Sequence, residues 1–290
     1  VSNKVGGSFP TFLRTNAKFR DPSAWYHVCI AVDTTDATEA NRVKIYVNGT
    51  QETSLAQSDY PSQNEDFFLN HTNEHNIGQQ GDDDSALYFG GYLAETVMID
   101  GLQLAPTSFG EFDADSPRIW RPKNLNPISG LKGTNGFYLD FEDSANLGND
   151  VWGGTDLTEV NLAATDQASD SPTNNFATWN SLENYYQSNT YSEGNCQVQT
   201  QSTSFTYNFA TIGVSAGKWY WEVEYDALSG GNDQPSIGIT STPPTANDHE
   251  LGNFANDWGW YTDNNTGYQA NNNSYSDIDL NDYISNCIII

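Results

Sequence analysis

Trp25-Tyr26-His27-Val28-Cys29-Ile30-Ala31-Val32-Asp33, followed by Arg42-Val43-Lys44-Ile45-Tyr46-Val47-Asn48-Gly49, decides the fold. Both runs alternate with a period of two, the repeat of an extended chain whose successive side chains point to opposite faces. Tyr26, Val28, Ile30 and Val32 share one face of the first run, and Val43, Ile45 and Val47 share one face of the second. These are the faces expected to point inward. Asn48-Gly49 then supplies two residues that tolerate positive φ, as a two-residue hairpin turn requires. Two half-buried antiparallel strands ending in a tight turn fit a β-sandwich.

Composition extends this expectation to the whole chain. With 290 residues it has room for two domains, each with its own core. Gly, Asn, Asp, Ser and Thr recur every few residues, aromatic residues make up 13%, and long stretches of helical period are absent. Together these point to an all-β chain rich in turns. No apolar run is long enough to cross a membrane, and Val1 does not open a signal-peptide pattern. Acidic residues outnumber basic ones 38 to 11, for a formal charge of −27. Such a surface repels phosphate backbones, which argues against nucleic acid as a partner. It suits salty surroundings, where screening shortens the range of self-repulsion. Cys29, Cys196 and Cys287 are odd in number and widely spaced, without metal-site spacing or a disulfide framework.

Residues 1–20 read as irregular and 51–84 as a polar loop. Residues 87–101 read as a strand bent at Gly90-Gly91 and closed by Asp100-Gly101, with Leu93, Val97 and Ile99 inward. Residues 104–112 read as one helical turn with Pro106 near its start. The first module spans 1–142, a polar connector 143–180, and a second module 181–290. In the second, residues 217–226 alternate: Trp219, Trp221, Val223 and Tyr225 share one face, and Tyr220, Glu222, Glu224 and Asp226 the other. Residues 235–240 form another short strand. The apolar end Cys287-Ile288-Ile289-Ile290 is expected to be paired and buried in a sheet. Both modules are expected to be incomplete at the chain ends, as in an internal portion of a longer polypeptide.

The wording "WYHVCIAVD…NRVKIYVNG" resembles the concanavalin A-like, laminin G-like jelly-roll superfamily. "GYLAETVMIDGLQLAPTSFGEFD", "WRPK", "TNGFYLDFEDSANLGND" and "NLAATDQASDSPTNNFAT" together are similar to a cassette of tailed-phage virion proteins, with a match over about residues 20–180. "GKWYWEVEYD…PSIGIT" resembles the SPRY β-sandwich family, whose members are chiefly interaction modules. These resemblances imply two antiparallel β-sandwich modules in a virion or extracellular setting. They also imply a host cell-surface glycan or protein as partner, other virion proteins as neighbours, and a homotrimeric assembly.

Candidate sites follow from residue chemistry. Trp258, Trp260, Tyr261, Tyr268 and Tyr275 lie among Asn and Asp residues, a composition suited to stacking on sugar rings and reaching hydroxyl groups. Core packing is the expectation for at least one of the two Trp residues. Asp82, Asp83 and Asp84 follow Gly81 in one loop and are candidate Ca²⁺ ligands, as oxygen-rich loops before strands can be. The run from Asp277 lacks the EF-hand glycine. Glu222, Glu224 and Asp226 have the period-two spacing of a glycosidase acid pair, but in the order E-x-E-x-D and in the SPRY-like module. Glu111, Asp113 and Asp115 imitate part of that pattern. His71 and His75 do not form H-E-x-x-H. The expectation is a non-enzymatic phage appendage protein, a tail fibre or capsid-surface fibre. A bacterial adhesin and a glycan hydrolase are the alternatives.

Overall fold

The structure is a computed structural model. It describes every residue except 6–7, 22, 73, 80–86, 186–188, 201–205, 225–235, 242, 245–249, 264–265, 273, 279–286 and 290. The chain is all-β, its described strands pair antiparallel, and it divides into two compact units, Val1–Phe176 and Ala177–Ile290. No helix among the described residues is long and apolar enough to cross a membrane.

The first unit begins with β1 (Ser2–Val5), β2 (Ser8–Thr15), β3 (Val28–Val32), β4 (Val43–Val47), β5 (Thr50–Gln51) and β6 (Leu55–Asp59). One sheet has the order β1-β2-β6 and the other β3-β4-β5. The β3–β4 ladder sets Val28 opposite Val47, Ile30 opposite Ile45 and Val32 opposite Val43. Asn48 (φ 47°) and Gly49 (φ 75°) make the two-residue turn to β5. Leu13 from one sheet and Val43 and Ile45 from the other form a buried cluster, lined further by Val32, Leu55, Tyr60 and Phe67.

Three expectations need correction here. β1 and β2 occupy residues expected to be irregular, and β6 lies within the expected polar loop. Pro10 obscures the pattern of β2, although Thr11 and Leu13 alternate into the interior. All of β6 except Leu55 is exposed, so it carries no apolar stripe to read. On β3, Cys29 and Ala31 are buried, whereas Val28 and Ile30 are 56% and 41% exposed. β3 is the edge of its sheet, and the core covering Val43 and Ile45 does not extend outward over Val28 and Ile30.

Downstream, β7 (Thr96–Met98) pairs with β10 (Phe137–Leu139), and β8 (Gly110–Phe112) with β9 (Trp120–Pro122). The expected long strand over 87–101 shrinks to β7, and Leu93 is exposed. The expected helical turn is a 3-10 turn over Pro106–Ser108, and β8 takes up the rest of that segment. Residues beyond 142 are tied into this unit: Trp25 Nε1 donates to Asp170 Oδ2 at 3.1 Å, and Asn175 Nδ2 to the Ser23 carbonyl at 2.8 Å.

Asp150 is the main polar anchor of the first unit. Its side chain accepts from the backbone N–H groups of Tyr138 (2.9 Å), Trp152 (3.1 Å) and Gly154 (2.7 Å), and Lys132 Nζ lies 3.3 Å away. Burial pushes its carboxyl pKa up, but these donors together outweigh burial and hold it below the usual carboxylate value.

The second unit contains β11 (Trp179–Tyr185), β12 (Thr190–Ser192), β13 (Gln197–Gln199), β14 (Tyr207–Ala210) and β15 (Glu222–Glu224). It continues with β16 (Ser236–Thr240), β17 (Asp257–Asp263), β18 (Thr266–Asn271), β19 (Ser274–Ile278) and β20 (Cys287–Ile289). β16 to β19 form a four-stranded meander; β11 pairs with β14, β12 with β13, and β15 with β20. The long alternation expected over 217–226 is realised only in β15. Trp219 and Tyr220 precede it and are exposed, while Tyr225 and Asp226 lie outside the described residues.

Candidate functional site

An exposed aromatic surface lies on the meander. The β16–β17 register pairs Ile239 with Trp258, Gly238 with Gly259 and Ile237 with Trp260. Opposed residues in an antiparallel ladder share a sheet face, so Ile237, Ile239, Trp258 and Trp260 form one surface. It grades from buried to open. Ile237 is buried and Trp260 half-buried, while Trp258 is 59% and Ile239 53% exposed.

Glycine sets up the opposite face. A Cβ on Gly238 would collide with the Trp258 carbonyl oxygen, and one on Gly259 would press on the Leu251 carbonyl. Both positions are therefore held at glycine so that the segment at Leu251 can lie against the sheet. Asp257, buried one residue before Trp258, fixes the start of β17. Its Oδ1 accepts from Thr240 Oγ1 at 2.6 Å, and Oδ2 from the Phe254 N–H at 3.3 Å. Asn271 Nδ2 donates to the Asp257 carbonyl at 2.6 Å, joining β18 to the same point. A rigid strand start thus presents an open indole beside an open isoleucine. An open indole ring is flat and apolar, as stacking on a sugar face requires.

The five aromatic candidates do not share one register. Tyr261 pairs with Tyr268, and Tyr275 with Ala270, which itself pairs with Gly259. In register these tyrosines hold positions out of step with Trp258 and Trp260: Trp260 pairs with Gln269, not with a tyrosine. Sequence reasoning missed Ile239 as the neighbour of Trp258. Its alternation with Ile237 was readable, but the register joining the two strands was not.

The other candidates resolve as follows. Asp82, Asp83 and Asp84 lie outside the described residues, and no group of three His, Cys, Asp or Glu among the described residues is placed to hold a metal ion. Glu222 and Glu224 are exposed on β15, and Tyr220 Oη donates to Glu222 Oε1. Glu111 and Asp113 are engaged by cations: Arg121 lies 2.9 Å from Asp113, and Lys123 lies 3.5 Å from Glu111. Asp113 Oδ1 also accepts from the N–H groups of Asp115 and Ser116, closing the β8–β9 turn. His75 is held in its loop, its Nε2 2.9 Å from the Phe68 carbonyl. His27 is half-buried and stacks on Trp120 at 5.5 Å, and burial lowers its pKa. Comparison with protein-family models, with curated proteins and with solved structures gave no match to this chain.

Proposed function

We propose that this chain is a non-catalytic structural protein of a tailed-phage virion, part of a tail fibre or capsid-surface appendage, that engages host-surface glycans or proteins. On this proposal the two all-β units are sandwiches of the concanavalin A-like and SPRY-like kinds, and the assembly is a homotrimer among other virion proteins. The mechanism is noncovalent. Repeated copies present rigid sheet faces, and linkage multiplies individually weak contacts into avidity. The wording of residues 20–180, similar to a virion cassette, supports the setting. The large negative charge fits a solvated exterior protein without nucleic-acid contacts.

The observation that carries the recognition role is the open Trp258–Ile239 pair on an otherwise well-braced strand. Removing the indole is expected to weaken glycan binding about tenfold or more, since stacking on an aromatic face is worth about a kcal/mol or so per contact and avidity compounds it. A glycan array probed with the intact chain and with Trp258→Ala tests this. Retention by the wild type and loss by the variant, with unchanged unfolding midpoints, is the expected result. Equal retention by both would remove Trp258 from the recognition surface.

A further inference from the structure

The outer edge of β3 borders a cavity of about 200 Å³. All six residues from His27 to Val32 line it, as happens along a strand edge, whereas a cavity over one sheet face would touch only alternate residues. From the other side it is lined by Glu95, Val97 and Ile99. Small-ligand sites usually enclose ~300–1,000 Å³, so this space suits inserted side chains better than a whole small molecule.

The backbone on both sides has open hydrogen-bonding capacity. The Ile45 carbonyl accepts from Glu52 N–H at 2.8 Å, turning away from β3, and the Asp33 N–H donates to the Arg42 carbonyl. Ile30, opposite Ile45, is therefore a non-hydrogen-bonded partner in the ladder, and so are Val28 and Val32. Their N–H and C=O groups point outward from the sheet. On the other side, the Tyr138 carbonyl accepts from Val151 N–H and the Tyr138 N–H donates to Asp150. Val97, opposite Tyr138, thus turns its own backbone groups away from β10. None of these outward groups of Val28, Ile30 or Val97 has a backbone partner among the described residues.

We propose that the cleft between β3 and β7 accepts an extended segment of another polypeptide as an added β-strand. Backbone groups of Ile30 and Val97 bind its main chain, and the exposed Val28 and Ile30 cover its apolar side chains. Charge sets the chemistry of its flank. Glu95 borders the cleft, Asp140 and Glu142 lie within electrostatic reach of it, and the chain as a whole carries −27. The incoming strand is therefore apolar at alternate residues and carries Lys or Arg at one end.

The test uses the full chain and a fluorescein-labelled Lys-Val-Thr-Val-Thr-Val-Lys peptide, read by anisotropy and by amide hydrogen exchange. Saturable binding with new protection at residues 28–32 and 96–98 is expected. The same peptide N-methylated at its valines is expected to bind at least tenfold more weakly. Ile30→Pro is expected to do the same to the unmodified peptide, because it removes an N–H that the β3–β4 ladder does not use. The proposal is overturned by absence of binding to the folded chain at about 1 mM peptide, a concentration at which even weak complexes form. It is also overturned if the N-methylated peptide binds equally well, or if folded Ile30→Pro binds like the wild type. A dimer seen in sedimentation that Ile30→Pro dissociates would instead assign the edge to a second copy of this chain.

Discussion

At the residue scale, Gly49 meets two requirements at once. Its φ of 75° lies in the left-handed region, and a Cβ there would run into the Trp120 ring. Gly49→Ala is therefore expected to destabilise the first unit by ~2 kcal/mol or more, read as a lowered urea midpoint with an unchanged slope. The turn itself was legible, because Asn-Gly after an alternating run has few other uses. The clash with Trp120, seventy-one positions along the chain, was not, since nothing local ties the "WRPK" segment to this hairpin. Asp150 was equally illegible: it reads as one more acidic residue in a polar stretch, yet three backbone donors and Lys132 converge on it. Asp150→Ala leaves those donors and a partly buried ammonium without their acceptor, for an expected cost of ~3 kcal/mol. The folded carboxyl titrates below its unfolded value of ~3.9, so the stabilisation is complete above that pH and is lost as pH falls through the lower folded value. The stability gap between the wild type and Asp150→Ala, measured by urea titration across pH, should be widest near neutrality and close in strong acid. A gap independent of pH would contradict the assignment.

At the element scale, period-two alternation located β3, β4 and β16, and the expected inward face of β4 is the buried one. Alternation could not say which strand lies at an edge. Val28 and Ile30 read as core residues from spacing alone, and only sheet order shows that they are uncovered. The contrast is measurable. Val43→Ala removes methyl groups from a site 1% exposed and is expected to cost ~2 kcal/mol, whereas Val28→Ala at the edge should cost ~0.5 kcal/mol or less. Equal losses in thermal or urea unfolding would mean that β3 is not an edge strand. The meander makes the same point for the candidate site. Aromatic richness between 258 and 275 was plain, but the cross-strand register that pairs Trp258 with Ile239 and Trp260 with Ile237 was not. A sequence interval can mark an aromatic region without marking a surface.

At the scale of the whole molecule, charge and modular organisation dominate. With 38 acidic against 11 basic residues, self-repulsion opposes compaction. Screening should relieve it, so adding salt to a low-salt buffer is expected to raise the Tm in scanning calorimetry. A falling Tm would mean that ion pairs such as Lys132–Asp150 outweigh the general repulsion. All-β character was legible from composition, because turn-forming residues punctuate the chain throughout and helical periodicity is missing. Quaternary state and ligand were not, since they depend on surfaces that no local pattern encodes. The proposal of a virion appendage is tested most directly by locating the chain in intact tailed-phage particles carrying its gene, with gold-labelled antibodies viewed by electron microscopy. Gold on fibres or on the outer capsid surface is the expected result; particles that lack the chain altogether, with the protein found only on bacterial cell surfaces, would contradict it.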